Sequence, residues 1–168
     1  LGFTVAGRDI RFGLLAVKNL GRGFLQHIIS ERETNGPFSS FFDFCKRMFE
    51  QMNRRALESL IKCGSLDGLD LNRRQMLENA GSVLDFLEAD RKKNVEGQLG
   101  FFDTGSAGEG AQEFLVAPRR DFSDREKLAY EKEVTGMFLS GHPMAAFLAQ
   151  YEKLYAVRIG DLVNDADA

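Results

Sequence analysis

A chain of 168 residues, 43% hydrophobic with 15 Phe and no Trp, has apolar material for a core, in one ordinary domain or two small ones. Its net charge of −3 is unevenly spread: residues 1–75 hold 12 Lys/Arg against 8 Asp/Glu, and residues 76–168 hold 10 against 17. That balance points to the first half as the one that could face a polyanion.

In chain order, FTVAGRDIRF (Phe3–Phe12) alternates around a turn-like AGRD and predicts a short β-hairpin. FGLLAV adds one or two helical turns. VKNLGRGFLQHII (Val17–Ile29) then places two glycines two residues apart, just ahead of a helical pattern. From Gly23 on, Phe24, Leu25, Ile28 and Ile29 share one face, with Gln26, His27, Ser30 and Glu31 on the other, which predicts an amphipathic helix. Asn35-Gly36-Pro37 terminates it. Ser40 with Asp43 opens the next helix, its apolar set being Phe41, Phe44, Cys45 and Met48. Asn53 caps a third helix, with Leu57, Leu60 and Ile61 inward and Gly64 at its end. Asn72 with Gln75 forms a capping box for a fourth, carried to about Ala89 by Met76, Leu77, Val83, Leu84 and Leu87.

From about Arg91 to Phe122 periodicity is lost, and five glycines followed by Pro118 punctuate the run. Connections usually have about 4–6 residues, so a run of this length is either a linker or functional. Ser123 with Glu126 caps a further helix to about Leu139, Gly141-His142-Pro143 breaks it, and another helix extends to about Lys153. The chain begins at Leu1 and stops after an Asp/Ala tail, and the expectation is a piece of something longer.

The turn Lys18-Asn19-Leu20-Gly21 between two helical stretches has the layout of a helix-hairpin-helix motif. That motif needs an apolar wedge between two positions of αL or close-approach backbone, then a helix N-terminus whose amides and dipole take a DNA phosphate without reading bases. Asn19 suits the first special position because Asn visits αL more readily than other residues with a Cβ. Gly21 takes the second, and Lys18 and Arg22 add charge. The alternative is a plain αα-connection with glycine for geometry alone.

Other chemistry is sparse. Cys45 and Cys63 show no CxxC or Cys/His zinc spacing and fit a reduced, cytosolic protein. No stretch reaches membrane-span length and no signal peptide is recognised, so a membrane partner is not expected. Asp165-Ala166-Asp167 sits in a polar tail without a flanking strand, Asp67 and Asp70 flank a Gly-Leu turn, and His27 and His142 have no Ser or Cys partner at a recognisable spacing. No catalytic residue, metal ligand or cofactor is assigned within the chain.

Five blocks, IRFGLLAVKNLGRG, GPFSSFFDFCKRM, NRRALESLIKCGSLDGL, GQLGFF and EKLAYEKEVTGMFLSGHPMAAF, closely resemble the bacterial DNA polymerase III alpha subunit family, in its order and across nearly the whole chain. The resemblance implies a mainly α fold: a tandem helix-hairpin-helix domain with a short N-terminal β-hairpin, then helices and a long linker. It implies the end of the fingers at 1–12, the tandem domain at 13–70, a helix at 71–90, the linker at 91–122, a helical segment at 123–153 and the lead-in to an OB-fold at 154–168.

On the same resemblance Lys18, Asn19, Leu20, Gly21, Arg22 and Gly23 form the first DNA-contacting hairpin, although the family more often has Gly in place of Asn19 and Ala in place of Gly23. The second helix pair lacks a glycine hairpin and reads as mainly structural. Arg54 and Arg55 at its start are either phosphate contacts or a solvated helix face.

Within the linker, Gln98-Leu99-Gly100-Phe101-Phe102 offers one amide and three apolar side chains. As an extended peptide it suits a partner's groove, or its two Phe tether the linker to the chain's own helices. The resemblance implies the first: residues 98–102 match the family's internal sliding-clamp-binding motif, with Phe101 for the commoner Leu. The implied partners are double-stranded DNA, the sliding clamp and, through the longer protein, other replicase subunits. Mg2+ chemistry would belong to the polymerase site of that longer protein, and this piece is expected to be inert alone. A helix-hairpin-helix module of a repair protein and a pure interaction scaffold are the alternatives.

Overall fold

The computed structural model describes residues 2–95 and 116–147. Alternation around Gly7-Arg8 yields the N-terminal hairpin. Strand β1 (Thr4–Ala6) pairs antiparallel with β2 (Asp9–Arg11), with Val5 opposite Ile10. Phe3 and Phe12 meet edge-to-face at 5.0 Å across its open end, while Val5 and Ile10 stay exposed. A 3-10 turn at Leu14–Ala16 leads into the glycine turn.

Five α-helices follow among the described residues: α1 (Arg22–Asn35), α2 (Phe41–Met48), α3 (Arg54–Lys62), α4 (Arg73–Val95) and α5 (Asp124–Thr135). Their starts lie where the caps predict. Ser40 accepts from the Asp43 amide, Asn53 from the Ala56 amide, and Ser123 from the Glu126 amide, whose carboxylate takes the Ser123 N–H in return. Asn72 and Gln75 exchange the same pair of bonds at 3.0 and 3.2 Å. Each such cap stabilises a helix start by about 1 kcal/mol.

The core is apolar and shared by all but the β-hairpin. Leu25 of α1, Phe41, Phe44 and Met48 of α2, Leu57, Leu60 and Ile61 of α3 and Met76, Ala80 and Val83 of α4 are buried together, and Val134 brings α5 to the same cluster. Burying each large side chain here contributes about 1.5–3 kcal/mol. In α1 only Leu25 is fully buried; Phe24 and Ile28 lie half-buried at the edge of the cluster. Helix α1 ends where Arg47 of α2 donates to the carbonyls of Glu31 and Gly36 at 3.0 Å and pairs with the Glu31 carboxylate at 2.8 Å.

Two helix ends differ from the sequence reading. Helix α4 continues past Ala89 to Val95, through what the pattern assigns to the linker. Its last turns have no apolar period to announce them, but Arg91, Lys92 and Lys93 are good helix formers, with Lys92 paired to Glu88 and Arg91 facing Glu50. Helix α5 stops at Thr135, four residues short of Leu139, because Gly136 takes the αL conformation (φ 78) and its N–H closes on the Lys132 carbonyl. The helix expected to reach Lys153 shows only a 3-10 turn at Ala145–Phe147; beyond that it lies outside the described residues.

Residues 116–122, the end of the expected linker, run against the start of α4. The Gln75 and Asn72 amides donate to the carbonyls of Ala117 and Arg119, Asp121 accepts the Arg74 N–H at 3.3 Å, and Arg74 lies over the Phe122 ring. Helix α5 then packs on α3. Its carboxylates meet basic groups of the first half, Glu126 with Arg74, Glu131 with Arg73 and Glu133 with Lys62. Much of the charge asymmetry between the two halves is thus internal complementarity.

Candidate nucleic-acid interface

Three consecutive residues of the first turn are attached inward. The Lys18 backbone N–H donates to the Val134 carbonyl at the end of α5, 2.8 Å away. The Asn19 side-chain amide donates to Ser59 Oγ of α3 at 3.0 Å, and the Leu20 side chain is buried. Asn19 has φ 63, the αL region, and is the one non-glycine residue at positive φ among those described. Gly21 follows in extended backbone (φ −82, ψ 150) as the N-cap of α1.

What points outward is bare backbone and charge. Gly21 offers no capping side chain, and the first helical bond runs from Leu25 N–H to its carbonyl. Among the described residues no acceptor meets the amides of Arg22, Gly23 or Phe24, which are the donors a helix start leaves over. A Cβ added at Gly21 or Gly23 would meet nothing within 4 Å. Neither glycine is therefore needed to fit this chain to itself. Lys18 and Arg22 are exposed and have no ion pair among the described residues. The arrangement presents amides, a helix dipole and two cations to open space, which suits one phosphate group.

The second turn, between α3 and α4, is filled. Gly64 (φ 77) closes α3, and a Cβ there would overlap the Arg73 guanidinium. Arg73 grips Asp67 by two nitrogens, at 2.7 and 2.9 Å, and Glu131 of α5 at 3.0 Å. The other Glu131 oxygen accepts the N–H groups of Leu139 and Ser140 at 2.8 and 2.9 Å. Burial alone would push the Glu131 carboxyl up. The Ser140 and Leu139 donors and the Arg73 guanidinium outweigh it and hold the group below the ordinary carboxylate range. Asp70 Oδ1 accepts the Phe41 N–H at 2.6 Å and so caps α2. These carboxylates are committed to the fold, and sequence reading assigned Asp67 and Asp70 only to a turn.

A family model for the helix-hairpin-helix motif matches residues 1–76. Curated relatives match over most of the chain. The DNA polymerase III alpha subunit of Deinococcus radiodurans is 39% identical over 168 residues, covering 95% of this chain and 12% of that protein. The subunit of Thermus aquaticus is 38% identical, covering 86% of this chain and 11% of that protein. For Borreliella burgdorferi the values are 37%, 84% and 13%. The chain belongs to the DNA polymerase III alpha subunit family. It spans about an eighth of the length of the relatives it matches.

The other residues singled out in the sequence fall into three groups. Arg54 lies at the start of α3, engages Glu58 at 2.8 Å and packs beside Gly81 of α4. Arg55 is exposed without an ion pair among the described residues, one helical turn before Ser59 and so on the face that meets the first turn. Gln98, Leu99, Gly100, Phe101 and Phe102 lie outside the described residues, as does the Asp165–Asp167 tail.

Among the described residues, no cluster of three His, Cys, Asp or Glu could hold a metal ion. His27 is exposed on α1, and His142 Nδ1 accepts the Met144 N–H at a turn. Cys45 and Cys63 are buried free thiols; burial pushes Cys45 up to about 12, far from nucleophilic use. Also among the described residues, no helix is long and apolar enough to cross a membrane.

Proposed function

We propose that this chain is the duplex-gripping and clamp-tethering segment of a bacterial replicative polymerase subunit, whose longer form carries out template-directed DNA synthesis in the cytoplasm. The observation that carries the reading is the outward first turn: unanswered amides at Arg22, Gly23 and Phe24 between Lys18 and Arg22, with Arg55 on the neighbouring face. A phosphate seated there replaces water on several donors at once and is read by charge and shape, so binding has no sequence preference. Nucleotide addition is assigned to other parts of the longer protein, since Asp67 and Asp70 serve Arg73 and the Phe41 N–H.

The clamp tether rests on the peptide Gln98–Phe102, which begins three residues past the end of α4. Residues 116–122 return to the opposite end of the same helix, about 34 Å away for 23 residues. Both flanks of the peptide thus belong to the DNA-gripping body, so a clamp bound there would be held close to the duplex this body grips.

Fluorescence anisotropy with a duplex of arbitrary sequence tests the reading. Few phosphates are within reach, so affinity should fall with salt at a log–log slope of about −2 to −4. Lys18→Ala should make that slope shallower by about one. Binding unchanged between low and high salt would overturn it.

A further inference from the structure

We infer that Ser59 is a positioning residue for duplex binding: its buried hydroxyl, acting through Asn19, locks the first turn in its phosphate-ready shape before DNA arrives. The inference rests on the duplex-binding reading above. A residue with a Cβ adopts αL reluctantly, and an exposed asparagine there would ordinarily bond its own backbone or water. Asn19 instead reaches forty positions along the chain to Ser59 Oγ. Ser59 is 2% exposed on α3, beside Leu57, Leu60 and Ile61 in the core, so its hydroxyl is as fixed as the core itself.

The neighbouring attachments, Lys18 N–H to the α5 end and Leu20 into the core, hold the turn on both sides of Asn19. A glycine at 19 would reach the same φ without strain and would have no amide to anchor it. Asparagine therefore exchanges ease of conformation for rigidity, and rigidity is what backbone donors need. Amides already aimed at one point lose little freedom when a phosphate takes them, whereas a loose turn binds only in the fraction of time it is correctly shaped.

The test uses the full 168-residue chain, a duplex of arbitrary sequence, and the variants Ser59→Ala, Asn19→Gly and the two combined. Ser59→Ala places the best helix former in α3, so the melting temperature should not fall. Each single change should weaken DNA binding by about three- to tenfold, as for a turn competent about a third to a tenth of the time. The double variant should be no weaker than the worse single one, because both cut the same bond. The salt slope should stay at the wild-type value, since no phosphate contact is removed. Nitrogen-15 relaxation without DNA should show lower order at residues 19–24 in all three.

Wild-type affinity in Ser59→Ala and Asn19→Gly, alongside weakened and shallower-sloped binding by Lys18→Ala, would overturn the lock while leaving duplex binding intact. If Lys18→Ala also binds as the wild type does, the duplex reading fails and the lock with it.

Discussion

The turn at residues 17–23 and the turn at residues 63–72 are built alike. Each uses positive-φ backbone, Asn19 in one and Gly64 in the other; each buries a leucine, Leu20 or Leu66; each delivers the chain to a helix N-terminus. They differ in what answers the donors. At α4 the Gln75 amide goes to Asn72, the Arg74 amide goes to Asp121, and Arg73 fills the space beside Gly64. At α1 the corresponding donors meet nothing among the described residues, and the charged residues beside them in the turn, Lys18 and Arg22, are cations. A helix start completed from within serves the fold, and one left incomplete on the surface is free to serve a ligand.

Breaking the filled turn should have the largest effect. Glu131→Ala leaves a buried guanidinium with Asp67 as its one remaining carboxylate among the described residues, and frees the Leu139 and Ser140 amides. Urea unfolding should show a loss of about 3–5 kcal/mol. Gly64→Ala should follow at about 2 kcal/mol or more, because the added methyl is strained at φ 77 and displaces Arg73. A loss below about 0.5 kcal/mol in either would mean that this turn is not the structural one.

Acid should act on the same turn more gently. Glu131 is held below the ordinary carboxylate range in the folded chain, so its contribution is complete above about pH 5. As pH falls through the folded value the carboxylate takes a proton and that contribution is lost. Glu131→Gln, which cannot titrate, should therefore lose less stability than the wild type between pH 5 and pH 3, measured by chemical unfolding at each pH. Equal losses would assign the acid sensitivity to other carboxylates.

The smallest stability effect should come from the open turn. Gly21→Ala has free space and an ordinary φ, and costs only the weaker helix cap, less than about 1 kcal/mol. Its duplex affinity should nonetheless fall severalfold in anisotropy titrations, because the methyl stands where a phosphate would approach. A melting temperature that drops as far as in Gly64→Ala would erase the distinction between the two turns.

By itself the sequence determined the helix starts, the β-hairpin and the inward faces of α2 and α3. Caps such as Ser40, Asn53 and Ser123 act within three or four residues, and apolar period is a property of one helix. It also marked Asn19 as the position to take αL, because the side chain's own preference is local. The ends of α1 and α3 were legible too, at Gly36 and Gly64, while tertiary structure decided how far α4 and α5 run and the inner architecture of the turns. Helix α5 stops at Thr135 with Glu131 holding the amides that follow, and Glu131 is fixed by Arg73, 58 positions earlier. The partnership of Asn19 with Ser59 spans 40 positions, and that of Lys18 with Val134 spans the whole linker. Those bonds depend on which helices pack together, and packing is settled only when apolar faces from distant parts of the chain share one core.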